Sequence, residues 1–205
     1  LSASGSARGR SLVALDVSGS MAETVAGGGT RFDAVRQTAL LAMSALYDHT
    51  AIGLWTFGSR IDGARDYREI VPIRKLEVNR QPLIDAATTL GPVPGSGTGL
   101  YDTVLAGFQE LQRTYEEAAV HSLVVMTDGR NADDAGLNED RLVRELRELS
   151  DPERPIMFVG VGFGEADMAA LQRIADTTGG RAVRIDDPLQ MLGVLITVVG
   201  ELSLV

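Results

Sequence analysis

The sequence predicts an α/β fold: a single doubly wound, mainly parallel six-stranded sheet with helices on both faces and one antiparallel edge strand. Three observations predict it. Short continuous apolar runs such as Leu12-Val-Ala-Leu15 and Leu123-Val-Val-Met126 have the length and composition of strands buried on both faces. These runs alternate with segments whose apolar residues recur at helical spacing, as βαβ units require. The 205 residues, 44% hydrophobic and 23% charged, suffice for one domain with a closed core.

Residues 1–10 are rich in serine, glycine and arginine and read as a linker, with the domain over 11–205. The first strand is expected over Ser11–Val17 and carries Asp16 at its end. The Gly-rich loop Ala26–Thr30 precedes a helix over Arg31–Asp48, in which Phe32, Val35, Ala39, Ala42, Met43 and Leu46 form one apolar face. Thr50–Phe57 is a second strand, and Asp66–Arg74, loosely alternating, is the antiparallel edge strand. A shorter helix over Asn79–Leu90 ends in Gly91-Pro-Val-Pro-Gly-Ser-Gly97, a loop by its breakers. Then follow a helix over Leu100–Ala118, a strand over His121–Thr127, a helix over Asn138–Leu149 and a strand over Arg154–Gly160. A helix over Glu165–Thr177, a strand over Arg181–Ile185 and an apolar helix over Pro188–Leu202 complete the order. That last segment is too short and too interrupted, by Gln190 and Glu201, to read as a membrane span, so core packing is expected of it.

Composition excludes several classes of function. A net charge of −9 opposes binding to a nucleic-acid backbone and suits a chain that holds a cation. The absence of cysteine removes disulfides, thiolate zinc sites and cysteine nucleophiles. Arginine outnumbers lysine 18 to 1, so any chemistry that needs a lysine has Lys75 as its sole candidate. The chain starts without methionine on a small, polar lead-in that lacks the pattern of a signal peptide, and it is read as a domain of a longer chain.

Sheets of this kind place their sites at the carboxyl ends of the strands. Three segments there are rich in small oxygen donors: Asp16-Val-Ser18-Gly-Ser20, Ser96-Gly-Thr98-Gly99 and Thr127-Asp128-Gly129. Two carboxylates and several hydroxyls, without histidine or cysteine, match hard Mg²⁺ or Mn²⁺ in preference to zinc or copper. Two carboxylates formally neutralise a dication, while neutral hydroxyls leave it electrophilic towards one further oxygen. Each piece alone has a plainer reading. Asp-Val-Ser-Gly-Ser could be a capped turn, Thr98 a helix cap, and Asp128-Gly129 a turn pair.

Together they are specific. Asp-x-Ser-x-Ser after a buried strand, a later threonine in a Gly-rich loop and Asp-Gly closing another strand resemble the metal-ion-dependent adhesion site of von Willebrand factor A domains. The likeness covers residues 10–203 and includes the Rossmann-like succession of elements. It implies that Asp16, Ser18, Ser20, Thr98 and Asp128 are the metal-ligand set, with one or both aspartates acting through water. It implies Mg²⁺ or Mn²⁺ as the ion, with Ca²⁺ behind both, and a non-enzymatic module that takes an Asp or Glu carboxylate of a partner protein. A bacterial cell-surface or secreted setting is expected, with the cytoplasm as the alternative. So is the absence of nucleic-acid partners and of membrane insertion by this domain.

Two other functions compete with this reading. The resemblance equally permits an assembly subunit of a chelatase- or transporter-associated complex. A Mg²⁺-dependent phosphotransferase wants Asp-x-Asp where this chain has Ser18, and a phosphate-steadying lysine where Lys75 ends an edge strand. Gly160-Val-Gly-Phe-Gly164 has the look of a dinucleotide fingerprint, but Glu165 stands at its last glycine position, and a strand-to-helix turn is expected. His49 and His121 are read as structural, Trp55 and Phe57 as core, and Tyr101 as packing beside Thr98. The acidic run Asp133-Asp134 with Glu139 and Asp140 reads as a solvated loop and helix start; the sharper alternative is that it tunes which partner approaches.

Overall fold

The computed structural model describes residues 8–25, 28–133 and 135–185, together with Gly193. The helix expected over Pro188–Leu202 and the first seven residues therefore lie outside the described residues, Gly193 apart. In chain order the elements are β1 (Arg8–Asp16), a 3₁₀ turn (Gly19–Ala22), α1 (Arg31–Ala45), β2 (Ala51–Asp62), β3 (Arg65–Lys75) and α2 (Leu76–Thr89). They continue with α3 (Leu100–Arg113), β4 (Ala119–Thr127), α4 (Glu139–Leu149), β5 (Ile156–Gly162), α5 (Met168–Thr178) and β6 (Arg181–Arg184).

The six strands form one sheet in the order β3-β2-β1-β4-β5-β6. All neighbours are parallel except β2 and β3, so the antiparallel edge strand expected from the sequence is present. β1 lies at the centre, with Val13 opposite Leu54 on one side and Val124 on the other. Strand periodicity sends alternate residues to opposite faces. Leu15, Val17, Val124, Met126, Val159 and Val161 join Phe32 and Val35 of α1 and Leu83 of α2 in one core. Leu12, Ala14, Leu123, Val125 and Phe158 join α3, α4 and α5 in the other, through residues such as Val104, Leu142 and Leu171.

Where element ends differ from the sequence reading, tertiary partners account for it. β1 begins at Arg8 because Arg10, although charged, is buried in the sheet and pairs with Glu116 at 2.8 Å. β2 runs past Phe57 to Asp62 because its outer half pairs with β3 in a hairpin closed at Gly63. α3 stops at Arg113, five residues early, and Tyr115 beyond it stacks on His121 of β4 with ring centroids 4.1 Å apart. β5 lies two residues later than expected, so Gly160 and Gly162 belong to the strand. A Cβ on Gly160 would come within 3.1 Å of Leu171 Cβ, and one on Gly162 within 2.9 Å of Ala166 Cβ. These glycines let α5 and the turn before it pack closely on the sheet; the strand-to-helix turn follows them.

α1 starts with a capping box: Thr30 Oγ1 accepts from Asp33 N–H at 3.0 Å, and the Asp33 carboxylate accepts from Thr30 N–H at 2.9 Å. Satisfying two otherwise unpaired donors of a helix end is worth about 1 kcal/mol. Thr30→Ala is accordingly expected to lower the unfolding free energy by about 1 kcal/mol in a urea titration. An unchanged midpoint would show that the α1 entry is held by packing alone.

Candidate metal centre

The carboxyl ends of β1 and β4 are adjacent in the sheet, which brings Asp16 beside the Thr127–Asp128 corner. The loop carrying Thr98 is stitched over that edge by backbone hydrogen bonds. Val93 N–H donates to Val17 C=O at 2.7 Å, Gly19 N–H to Ser96 C=O at 3.1 Å, Ser59 N–H to Gly97 C=O at 2.8 Å and Ala132 N–H to Thr98 C=O at 2.8 Å. Three segments separated by some 80 and 30 residues are thus tied into one rim.

The side chains form a continuous chain of contacts. Asp16 is fully buried; its Oδ1 accepts from Ser18 N–H at 2.8 Å and its Oδ2 from Thr127 Oγ1 at 2.6 Å. Ser18 Oγ and Ser20 Oγ are 3.2 Å apart, and Ser20 Oγ donates to Asp128 Oδ1 at 2.8 Å. Thr98, also buried, holds Oγ1 beside Gly129, 3.2 Å from where a Cβ there would sit. Asp16, Ser18, Ser20 and Asp128 are thus joined at this edge, with Thr98 beside Gly129 on its rim. Their side chains offer hard oxygens, which suit a divalent cation of the Mg²⁺ class. Burial pushes the Asp16 carboxyl up to about 6, against the lowering effect of its hydrogen bonds from Ser18 and Thr127; the Asp128 charge adds to the rise.

Two groups at this end of the sheet escape a reading from sequence. Arg31, the first residue of α1, sends its guanidinium to Asp128 Oδ2 at 2.8 Å and to Glu23 Oε2 at 2.8 Å. A cation in the first turn opposes the helix dipole by about 0.3–1 kcal/mol, and that mismatch is the signal that could have drawn attention to it. The second group is Asp66, Asp102 and Asp133, each offering a carboxylate oxygen within 4.8 Å of the others. Burial raises the Asp66 carboxyl, and Asp133 and Asp102 add to the rise, against the lowering effect of the Arg60 N–H bond. All three accept backbone N–H donors, from Arg60, Leu137 and Ala135, and so organise their loops.

The remaining residues read from the sequence fall outside this hydrogen-bonded group. Tyr101 is buried against Glu139, to which its hydroxyl donates at 3.3 Å; burial first and the Glu139 charge second push it up to about 12. Glu139 is also bound by Arg173, and this pairing lowers its carboxyl. Asp133 joins the second carboxylate group. His121 is buried, and burial lowers its pKa. His49 stacks on Tyr47. Lys75 lies opposite Ala51, and Ala51 opposite Arg10, at the amino edge of the parallel strands. Six residues of strand, roughly 20 Å, separate that edge from Asp16.

Comparison with known proteins agrees with this fold. The von Willebrand factor type A from Catenulispora acidiphila superposes with a TM-score of 0.74 at 19% identity, over 96% of this chain and 43% of that one. The PilB minor pilin from Streptococcus sanguinis gives 0.68 at 15% identity, over 96% and 62%. Proximal thread matrix protein 1 from the mussel byssus, with a zinc-occupied MIDAS motif, gives 0.64 at 13%, over 94% and 47%. At these identities the likeness shows the fold, and the chain spans less than two thirds of each of these three proteins. A search of curated protein sequences finds no significant match. The profile of the von Willebrand factor type A domain matches residues 12–195, nine-tenths of the sequence, and the chain belongs to that family.

Proposed function

We propose that this domain is a non-enzymatic, divalent-cation-dependent protein-binding module. Asp16, Ser18, Ser20, Thr98 and Asp128 would hold Mg²⁺ or Mn²⁺, and an Asp or Glu of a partner protein would complete the ion's shell. The observation that carries this reading is the chain of oxygen donors running from Asp16 through Ser18 and Ser20 to Asp128, with Thr98 on its rim. Neutral hydroxyls dominate the set, so the bound ion would stay electrophilic towards an external carboxylate. A relative of the same fold has zinc at its MIDAS motif; the all-oxygen donors here favour a harder ion. A pilin of the same fold supports a surface or secreted setting. Among the described residues no helix is long and apolar enough to cross a membrane. The distance of Lys75 from the site weighs against phosphoryl transfer.

Calorimetric titration of Mg²⁺ and Mn²⁺ into the chelator-stripped protein tests the proposal. One-site binding is expected in the wild type, with a loss on the order of 100-fold in Ser20→Ala and Thr98→Ala if each hydroxyl is a direct ligand. Binding that survives both substitutions would place the ion elsewhere.

A further inference from the structure

We propose that Arg31 makes cation binding at this site depend on an external carboxylate. The inference rests on the metal-binding reading above and concerns how that site is regulated.

Asp128 has its side chain fully shielded from solvent, and both of its oxygens are engaged: Oδ1 by Ser20 and Oδ2 by Arg31. The Arg31 guanidinium is itself mostly buried, its side chain 17% exposed, and it is held from three directions. The capping box at Thr30 and the Arg31 N–H bond to Glu23 C=O at 2.9 Å fix its backbone. Gly164 backs the guanidinium, and a Cβ there would come within 2.9 Å of Arg31 Cζ; the glycine's φ of +58 permits the approach. Its outer amine pairs with Glu23, whose side chain is 61% exposed. A buried carboxylate and a permanently charged guanidinium are thus matched before any metal arrives.

Charge arithmetic then decides the behaviour of the site. Asp16 and Asp128 would neutralise a dication alone, but with Arg31 in place the three buried groups sum to one negative charge. Glu23, 61% exposed, is screened by solvent and offsets little of the Arg31 charge within the buried set. A dication entering that set leaves one positive charge in a poorly hydrated corner, where charges interact strongly. The ion is therefore held weakly by the domain alone and more tightly once an anionic oxygen joins it. Arg31 converts a self-sufficient cation site into one that needs its acidic partner. Glu23 on the rim is the internal carboxylate that satisfies the outer guanidinium amine until then.

The test is Mg²⁺ titration by calorimetry, with and without sodium acetate as carboxylate probe at matched ionic strength, for the wild type, Arg31→Gln and Arg31→Lys. Removing the charge is expected to tighten Mg²⁺ alone by about 10-fold or more and to shrink the gain given by acetate. Arg31→Lys, which keeps the charge, should stay close to the wild type. Should Arg31→Gln fail to fold, Glu23→Gln is the second probe: it frees one guanidinium amine and should enlarge the acetate gain. Equal or weaker Mg²⁺ binding in Arg31→Gln, or no change of acetate gain in Glu23→Gln, would reduce Arg31 to a prop for Asp128 and overturn the inference while leaving the metal site intact. Absence of Mg²⁺ binding in every protein, with and without acetate, would overturn the metal-binding reading as well.

Discussion

Asp16→Asn is expected to abolish Mg²⁺ binding and, in the same molecule, to stabilise the metal-free domain at neutral pH by up to roughly 3 kcal/mol. The Asp16 carboxyl is fully buried, and burial raises it from 3.8 to about 6. Because the folded-state value lies above the unfolded one, the folded domain retains this proton longer than the unfolded chain does. The stabilisation is complete below about 4 and is lost as pH rises through about 6. Above that range the domain carries an ionised carboxylate in a nearly dry setting, a cost a divalent cation would offset. Asparagine keeps the shape and one acceptor for Ser18 N–H while removing the charge. Chelator-treated wild type should therefore lose stability between about pH 4 and about pH 7, whereas Asp16→Asn should be nearly flat by comparison. Metal binding has the opposite slope, weakening as pH falls through about 6. Urea titrations across this range decide the matter: a variant no more stable than the wild type at neutral pH would mean that Ser18 and Thr127 stabilise the charge fully.

Phe158→Ala should cost about 3–5 kcal/mol, a large share of the 5–15 kcal/mol that holds a domain of this size. Phe158 is wholly buried on β5 in the core shared with α3, α4 and α5. The backbone beside it is equally tight, since a Cβ on Gly180 would collide with Phe158 C=O. With so little room to collapse, the surroundings would leave most of the vacated volume as a cavity. The register Leu12–Leu123–Phe158 places this side chain four residues short of the level of Asp16, roughly 13 Å from the site edge. The unfolding midpoint should thus fall sharply while the Mg²⁺ affinity of the folded protein stays within about 2-fold of the wild type. An equal loss in both would couple this core to the metal edge, contrary to the expected additivity of distant sites.

Much of the architecture is legible in the amino-acid sequence. Apolar runs of strand length with helical spacing between them identify the central strands and the helices beside them, because both signals are local. The edge strand β3 shows only as loose alternation. Asp16 and Asp128 could be placed at one edge because parallel strands share a carboxyl end. Element ends were less legible. β2 extends to Asp62 only because β3 pairs with it, and Gly160 and Gly162 look like a turn until α5 is seen packing on them.

By itself, then, the sequence determined the fold class, the oxygen-only character of the candidate ligands and the edge on which they gather, since residue type and strand order are enough for these. Tertiary structure alone decided how that edge is charged. Arg31 stands 97 residues from Asp128, and Asp66 lies far from Asp102 and Asp133 in the chain. Neither pairing leaves a periodic or local trace. Both arise where separate loops converge, and electrostatic contacts depend on distance in space, which spacing along the chain does not encode.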